Sequence, residues 1–324
     1  MKLPASGWVK AALHTHSKRS DGRLEPEDAV AFYRRAGFGV VALTDHNKVT
    51  KVAQPGFVPG IELEARVEGA SGSYHVVILG LSSEPPEGVR RDANKLLDWS
   101  RDNGCFAFIA HPYWSTLSGE DLLRVRGYAG VEVYNHGCEV EISRGYSGPH
   151  WDYALSHGVK SYGLAVDDVH HYSLDALGGW VALDVGEADV EEALKALFEG
   201  RFYASSGVEV KSYEVGEGLL RVETSGASRI KLLSGDTRGA YLSVELLEKL
   251  AQTEGLPVEL EMWKEGGDCL YRVKLAKLMA EVQVRGESIV RAELRGELPV
   301  RKYARIELYD SEGRGAWLNP TFTG

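Results

Sequence analysis

The chain has 324 residues, 44% hydrophobic and 26% charged, a balance that excludes a disordered or fibrous protein and supplies a sizeable core. Its net charge of −10 argues against wrapping long nucleic acid and leaves room for bound cations. No apolar run reaches about 18 residues, so no transmembrane helix is expected. Cys105, Cys138 and Cys269 are far apart, with no CxxC, and read as packed thiols of a reducing compartment. The opening MKLPASGWVKAALHTH has no secretory apolar segment, so a cytoplasmic location is expected.

In chain order, strands are expected at Val9–Leu13, Val40–Leu43, Phe57–Glu64, Tyr74–Leu81, Phe106–Ala110, Val131–Tyr134, Tyr162–Val166 and Trp180–Val185. Helices are expected at Glu25–Ala36, Gly88–Asn103, Gly119–Arg126, Trp151–His157 and Asp189–Glu199. Gly37, Gly104 and Gly158 stand where a left-handed helix end favours glycine. This α/β alternation predicts a parallel sheet with crossover helices, either a barrel or a doubly wound sheet. Past Tyr203-Ala-Ser-Ser-Gly207 the pattern changes to LLRVETSG, SRIKLLSG, SIVRAELRG and YARIELYDSEG, which read as antiparallel strands. One helix, Val244–Thr253, interrupts them. Two domains are expected, 1–205 and 206–324, the second mainly β; Trp263 and Trp317 are read as its core.

The polar residues of interest follow the expected strands. His14-Thr15-His16 follows the first, and i, i+2 side chains on extended backbone share a side, so both imidazoles can reach one ion. Asp21 lies in a turn, and Thr44-Asp45-His46 ends the second strand. Glu62 lies in PGIE, His75 opens its strand, His111 ends FAFIA, and Asp167-Asp168-Val169-His170 ends YGLAV. In parallel α/β folds the carboxyl edge of the sheet is the active face. Each motif alone has a plain structural explanation. Six histidines and three carboxylates converging on one edge are what a multinuclear metal site needs, and such ligands suit zinc, iron and manganese. No GxSxG, P-loop or strand-borne GxGxxG is present.

AALHTHSKRSDGRLEPEDAVAFYRRAGFGVVALTDHN, followed by PGIELE, HVVILGL, IAHPYW, VEVYN and AVDDVH, resembles the polymerase-and-histidinol-phosphatase (PHP) superfamily over about residues 8–205. The chain is most similar to that superfamily's stand-alone phosphoesterases with a C-terminal β domain. The resemblance implies a distorted (β/α)7 barrel holding two or three divalent ions. His14, His16 and Asp168 would hold the first, with Glu62 bridging. Asp21, His46 and His170 would hold the second, and Glu62, His75 and His111 the third. Where the family reads SDAH, this chain reads DDVH, so Asp167 either orients a ligand or is acidic surface.

The implied function is metal-dependent hydrolysis of a small phosphorylated metabolite or nucleotide by a hydroxide bridging the metals, with Asp168, His170 and Arg19 as catalytic residues. Arg19, Lys48, Tyr113, Asn135, His136 and Arg144 are the candidate substrate contacts; Trp114 could wall the site. Glu132 alternates with apolar neighbours and is expected behind the metal ligands. His171, beside a ligand, is ambiguous. Arg201 and Tyr203 could approach the site. A C–N hydrolase with the same metals, or a histidinol-phosphate phosphatase, are the alternatives. The β domain could lie at the barrel mouth, dimerise the protein or recruit a partner.

Overall fold

A computed structural model of the chain describes residues 2–253, 255 and 258–322. Its contacts separate two units: Ser6–Ser206, and the residues up to Ala5 together with those from Gly207 on. A two-residue strand, β1 (Lys2–Leu3), belongs to the latter.

Ser6–Ser206 is mixed α/β. Its strands are β2 (Trp8–Ala12), β3 (Val40–Leu43), β4 (Phe57–Ala65), β5 (Tyr74–Leu79), β6 (Phe106–Ala110), β7 (Gly130–Asn135), β8 (Tyr162–Val166), β9 (Trp180–Asp184) and β10 (Phe202–Ser205). They pair in the order β10-β9-β2-β3-β4-β5-β6-β7-β8. The helices are α1 (Pro26–Arg35), α2 (Glu87–Arg90), α3 (Ala93–Asp102), α4 (Asp121–Arg124), α5 (His136–Ile142), α6 (Gly148–Ser156) and α7 (Val190–Glu199).

The wholly parallel sheet is corrected. β2-β3-β4 and β6-β7-β8 are parallel, but β5 runs against both its neighbours, and β9 runs against β2 and β10. Only eight residues separate β4 from β5, too few for a crossover helix, so the chain turns straight back. The expected helix Gly88–Asn103 is also broken. Asp92 accepts the N–H groups of Asn94 and Lys95 and starts α3 afresh. Helix α5 and strand β10 have no counterpart in the expected elements.

The sheet is strongly curled. Side chains from β2 (Ala11), β6 (Phe106, Phe108), β8 (Leu164, Val166), β9 (Val181, Leu183) and β10 (Phe202) share one buried cluster with Ala193, Ala196 and Leu197 of α7. Tyr162 and Phe202, on the terminal strands of the ladder, meet edge to face at 5.7 Å between ring centres. The hydrogen-bonded ladder itself is open between β8 and β10.

α1 shows why such helices form. Pro26 pre-sets the first turn, Glu27 and Asp28 complement its positive end, and Arg34 and Arg35 its negative end. Ala29, Val30 and Tyr33 form the buried face, and Gly37 (φ +89°) takes the left-handed exit.

The other unit is mainly β. Its strands are β11 (Val210–Gly216), β12 (Leu219–Ala227), β13 (Arg229–Ser234), β14 (Gly239–Ser243), β15 (Glu259–Glu265), β16 (Asp268–Leu275), β17 (Leu278–Arg285), β18 (Ser288–Gly296), β19 (Tyr303–Tyr309), β20 (Gly315–Leu318) and β21 (Thr321–Phe322). One antiparallel ladder runs β1-β11-β12-β18-β17-β16-β15; the other runs β14-β13-β19-β20, with β21 on β19. Helix α8 (Val244–Gln252) follows β14 and is capped by Ser243. Trp317 is buried as expected. Trp263 is not core: it is half-exposed beneath Arg272, whose guanidinium lies 5.4 Å from the ring.

Candidate metal centre

The donor-bearing segments are extensions of the sheet. The Thr15–Val169 and His46–Glu62 bridges prolong the parallel pairing past the strands themselves. His16 N–H donates to Val169 O (3.1 Å), and Asp168 N–H to His14 O (3.0 Å), so the HTH and DDVH segments lie side by side. Because β5 is antiparallel, its beginning lies at the edge where its neighbours end. Glu62 stands opposite Val77 and Glu64 opposite His75, which makes Glu62 and His75 diagonal neighbours on one face. His111 (φ +28°) and Asp168 (φ +54°) hold left-handed conformations that cost about 1–3 kcal/mol each, as functional edges often do.

All nine expected ligands come together, in three sets: His14, His16, Glu62 and Asp168; His16, Asp21, His46 and His170; and Glu62, His75 and His111. Within each set the donor atoms lie within 4.8 Å of one another. His16 belongs to two sets, which the sequence did not indicate; its ring packs against those of both His46 (4.5 Å) and His170 (4.3 Å).

Glu62 is the common member of the first and third sets. Its Oε1 faces His75 Nδ1 (2.8 Å) and His111 Nε2 (3.3 Å). Its buried Oε2 has His46 Nδ1 at 3.0 Å, His14 Nε2 at 3.2 Å and His16 Nε2 at 3.3 Å, yet makes no hydrogen bond. His14 Nε2 and His16 Nε2 face one another at 3.2 Å. Convergent lone pairs around an unsatisfied carboxylate oxygen fit a cation between them.

A second layer fixes those lone pairs. Glu132 Oε1 accepts from His14 Nδ1 (2.7 Å), and Oε2 accepts from His111 N–H (2.8 Å) and Asn135 Nδ2 (2.9 Å). His170 Nδ1 donates to Asp168 O (2.8 Å), and His111 Nδ1 pairs with Ser115 Oγ (3.0 Å). In each case Nε2 is turned to the cluster. Asp45, in no ligand set, accepts from Ser17 N–H (2.7 Å), Ser17 Oγ (2.7 Å) and Ser20 Oγ (2.9 Å) and so shapes the loop that carries Asp21. Asp167 is not surface. It is buried and accepts from Tyr33 OH (2.6 Å) and the N–H groups of Leu177, Gly178 and Gly179, anchoring that loop.

The charge pattern calls for positive charge. Burial alone would lower the pKa of His14, but Asp168, Glu62 and Glu132 outweigh it and raise it well above the ordinary value. His16, against the same burial, is raised to about 9 by Asp168 and Glu62. Glu62 and Asp168 are held well below the carboxylate range despite burial, chiefly by His14. Divalent ions answer the same demand in place of protons.

Seven of the nine donors, all but the fully buried His14 and His16, floor a cleft of about 600 Å³, whose walls include Arg23, Trp114, Gly137, Cys138, Val140, Glu141, His171, Leu174 and Asp175. The expected substrate contacts fare differently from the ligands. Arg19, Lys48, Tyr113, Asn135, His136 and Arg144 are all absent from its lining. Arg19 and Lys48 are exposed on the loops after the ligands. Arg144 lies 5.4 Å from the ring of Tyr113, outside the cleft. Asn135 is fully buried, its amide spent on Glu132, Asp168 Oδ2 (3.0 Å) and the N–H of Cys138. His136 Nδ1 pairs with Tyr134 OH (3.2 Å). Arg201 is occupied by Glu199 and Asp184 O, and Tyr203 packs against Trp8; neither lines the cleft. Sequence reasoning missed Arg23, although it immediately follows the turn carrying Asp21, and it missed helix α5.

The fold is that of PHP-like proteins, in agreement with the resemblance read from the motifs. It is similar to a two-domain protein containing predicted PHP-like metal-dependent phosphoesterase from Bacteroides vulgatus, with a TM-score of 0.50 and 13% identity over 98% of this chain and 94% of that one. A weaker likeness, with a TM-score of 0.41 and 16% identity over 58% of this chain and 96% of the other, is to an amidohydrolase from Chromobacterium violaceum. No protein-family model matches the chain. Two uncharacterized proteins of Methanocaldococcus jannaschii are each 27% identical: one over 144 residues (39% of this chain, 82% of that protein), the other over 165 residues (48% and 65%). Among the described residues no helix is long and apolar enough to cross a membrane.

Proposed function

We propose that the protein is a metal-dependent phosphoesterase acting on a small phosphorylated metabolite or nucleotide. The observation that carries this reading is the orphaned Oε2 of Glu62, a residue that lines an open cleft and is ringed from within by His14, His16 and His46. His14, His16, Glu62 and Asp168 would hold one ion; Asp21, His46 and His170, with His16, a second; Glu62, His75 and His111 a third. Imidazole and carboxylate donors suit manganese, iron or zinc. Such ions supply Lewis acidity, neutralising phosphoryl charge and lowering the pKa of water.

The chain's own part is to hold donors in place before substrate arrives. Glu132 sets the tautomer of His14, Asn135 orients Asp168, and the Asp168 carbonyl orients His170. In this reading Asp168 and His170 face the reacting phosphate. The curled sheet, with its terminal strands in contact through Tyr162 and Phe202, supports a PHP-type distorted barrel as the frame.

The test is to purify the protein without chelator and count its metals by mass spectrometry. Wild type and His14→Ala are then assayed on p-nitrophenyl phosphate and bis-(p-nitrophenyl) phosphate with and without Mn²⁺. Two or three ions, and turnover lost in the variant, are expected. Full metal without ester turnover would favour C–N bond hydrolysis. A folded protein that takes up no Mn²⁺, Zn²⁺ or Fe²⁺ would sink the site assignment.

A further inference from the structure

Arg23 is the single arginine or lysine among the described residues lining the cleft. Its backbone N–H donates to His170 O (3.1 Å), and its Nε donates to His171 Nε2 (3.2 Å). Five carboxylates line the cleft, each engaged elsewhere, Glu62 and Asp168 within the donor cluster itself. Asp21 faces His46 and His170, Glu141 accepts from Trp114 Nε1 (2.9 Å), and Asp175 accepts the N–H groups of His170 and His171. None is ion-paired with Arg23. The guanidinium is thus tethered at one nitrogen, with its other N–H groups left for an anion.

The cleft also carries apolar surface. The indole of Trp114 meets the imidazoles of His111 (5.0 Å, 71°) and His75 (6.0 Å, 77°) edge to face, and its bond to Glu141 fixes the ring. Val140 and Leu174, 51% and 68% exposed, leave apolar surface open to water at a site otherwise built of charge. A ligand covering them would release that water. Glu141 and Asp175 disfavour any further negative charge there.

Resting on the phosphoesterase reading, we propose that the cleft selects phosphate esters of a flat, uncharged ring. Arg23 holds the charge of the phosphate, and Trp114, Val140 and Leu174 cover the ring.

The test is calorimetric binding of methylphosphonate and benzylphosphonate to the Mn²⁺-loaded protein. Wild type, Arg23→Gln, Trp114→Ala and Leu174→Gln are compared, each checked for unchanged metal content. Wild type should bind benzylphosphonate about tenfold tighter than methylphosphonate. Arg23→Gln should weaken both by about tenfold and keep their ratio. Trp114→Ala and Leu174→Gln should shrink the ratio; the second is the control should the first misfold. Equal wild-type affinities, or unchanged binding in Arg23→Gln, would overturn this proposal while leaving the phosphoesterase reading intact. Metal-loaded wild type that binds neither phosphonate and hydrolyses no phosphate ester would overturn both.

Discussion

Glu132 Oε1 accepts the Nδ1–H of His14 at 2.7 Å, and neither side chain is exposed to solvent. The pair commits His14 to the tautomer whose Nε2 lone pair points at Glu62 and Asp168. Glu132→Gln should therefore weaken metal binding by about 10–100-fold with the fold retained. Chelator competition gives the affinity, and unchanged metal affinity would show that the bond positions nothing.

Glu62 serves two of the donor sets, whereas His75 serves one. Glu62→Gln should lower the metal count per chain more than His75→Ala does. Native mass spectrometry of the two variants, loaded side by side, reads the difference; equal losses would contradict a shared Glu62.

Removing the ions should also cost stability. Without them, buried Glu62 and Asp168 are balanced only by protons taken up on His14 and His16, and charge held in the interior without close-fitting partners is costly. Stripping the metals with chelator should lower Tm, and restoring Mn²⁺ should return it in a concentration-dependent way. An unchanged Tm would show that the ions do not favour the folded state.

Tyr33 OH donates to Asp167 at 2.6 Å inside the protein. Asp167 is pushed up to about 6 by burial, against the pull of its four donors. Tyr33→Phe removes one donor and should destabilise the fold by about 1–3 kcal/mol in urea unfolding. A cost near zero would mean that the three loop N–H groups suffice.

Acid stability should depend on Glu293. Burial would raise its pKa, but Arg221 and Arg295 outweigh that and hold it down to about 2. A folded value below the ordinary 4.5 means stabilisation present above pH 4.5 and lost as pH falls toward 2. With the half-exposed arginines screened by solvent, the gain is about 1–2 kcal/mol. The Tm gap between wild type and Glu293→Gln should widen from pH 2 to about 4.5 and then level off; a gap independent of pH would refute the linkage.

The donors were legible in the sequence because metal ligation imposes residue types and short-range geometry. HTH, TDH, the histidine of IAHP and DDVH each sit where a strand ends, and strand ends are set by local patterning. Three of the eight expected strands keep their bounds unchanged: Val40–Leu43, Phe106–Ala110 and Tyr162–Val166. Which cation lines the cleft was not legible. Arg19 and Arg23 are near neighbours in the same loop, and only the folded loop, tied down by Asp45, turns one outward and sets the other beside His171.

By itself, then, the sequence indicated an α/β part and a mainly-β part through periodicity, and nine candidate donors through residue types at strand ends together with the family resemblance of the motifs that carry them. The tertiary structure decided the reversal of β5, the double membership of His16, the burial of Asn135 and which of Arg19 and Arg23 lines the cleft. Each of these depends on which distant segments pack together, and no local pattern encodes that.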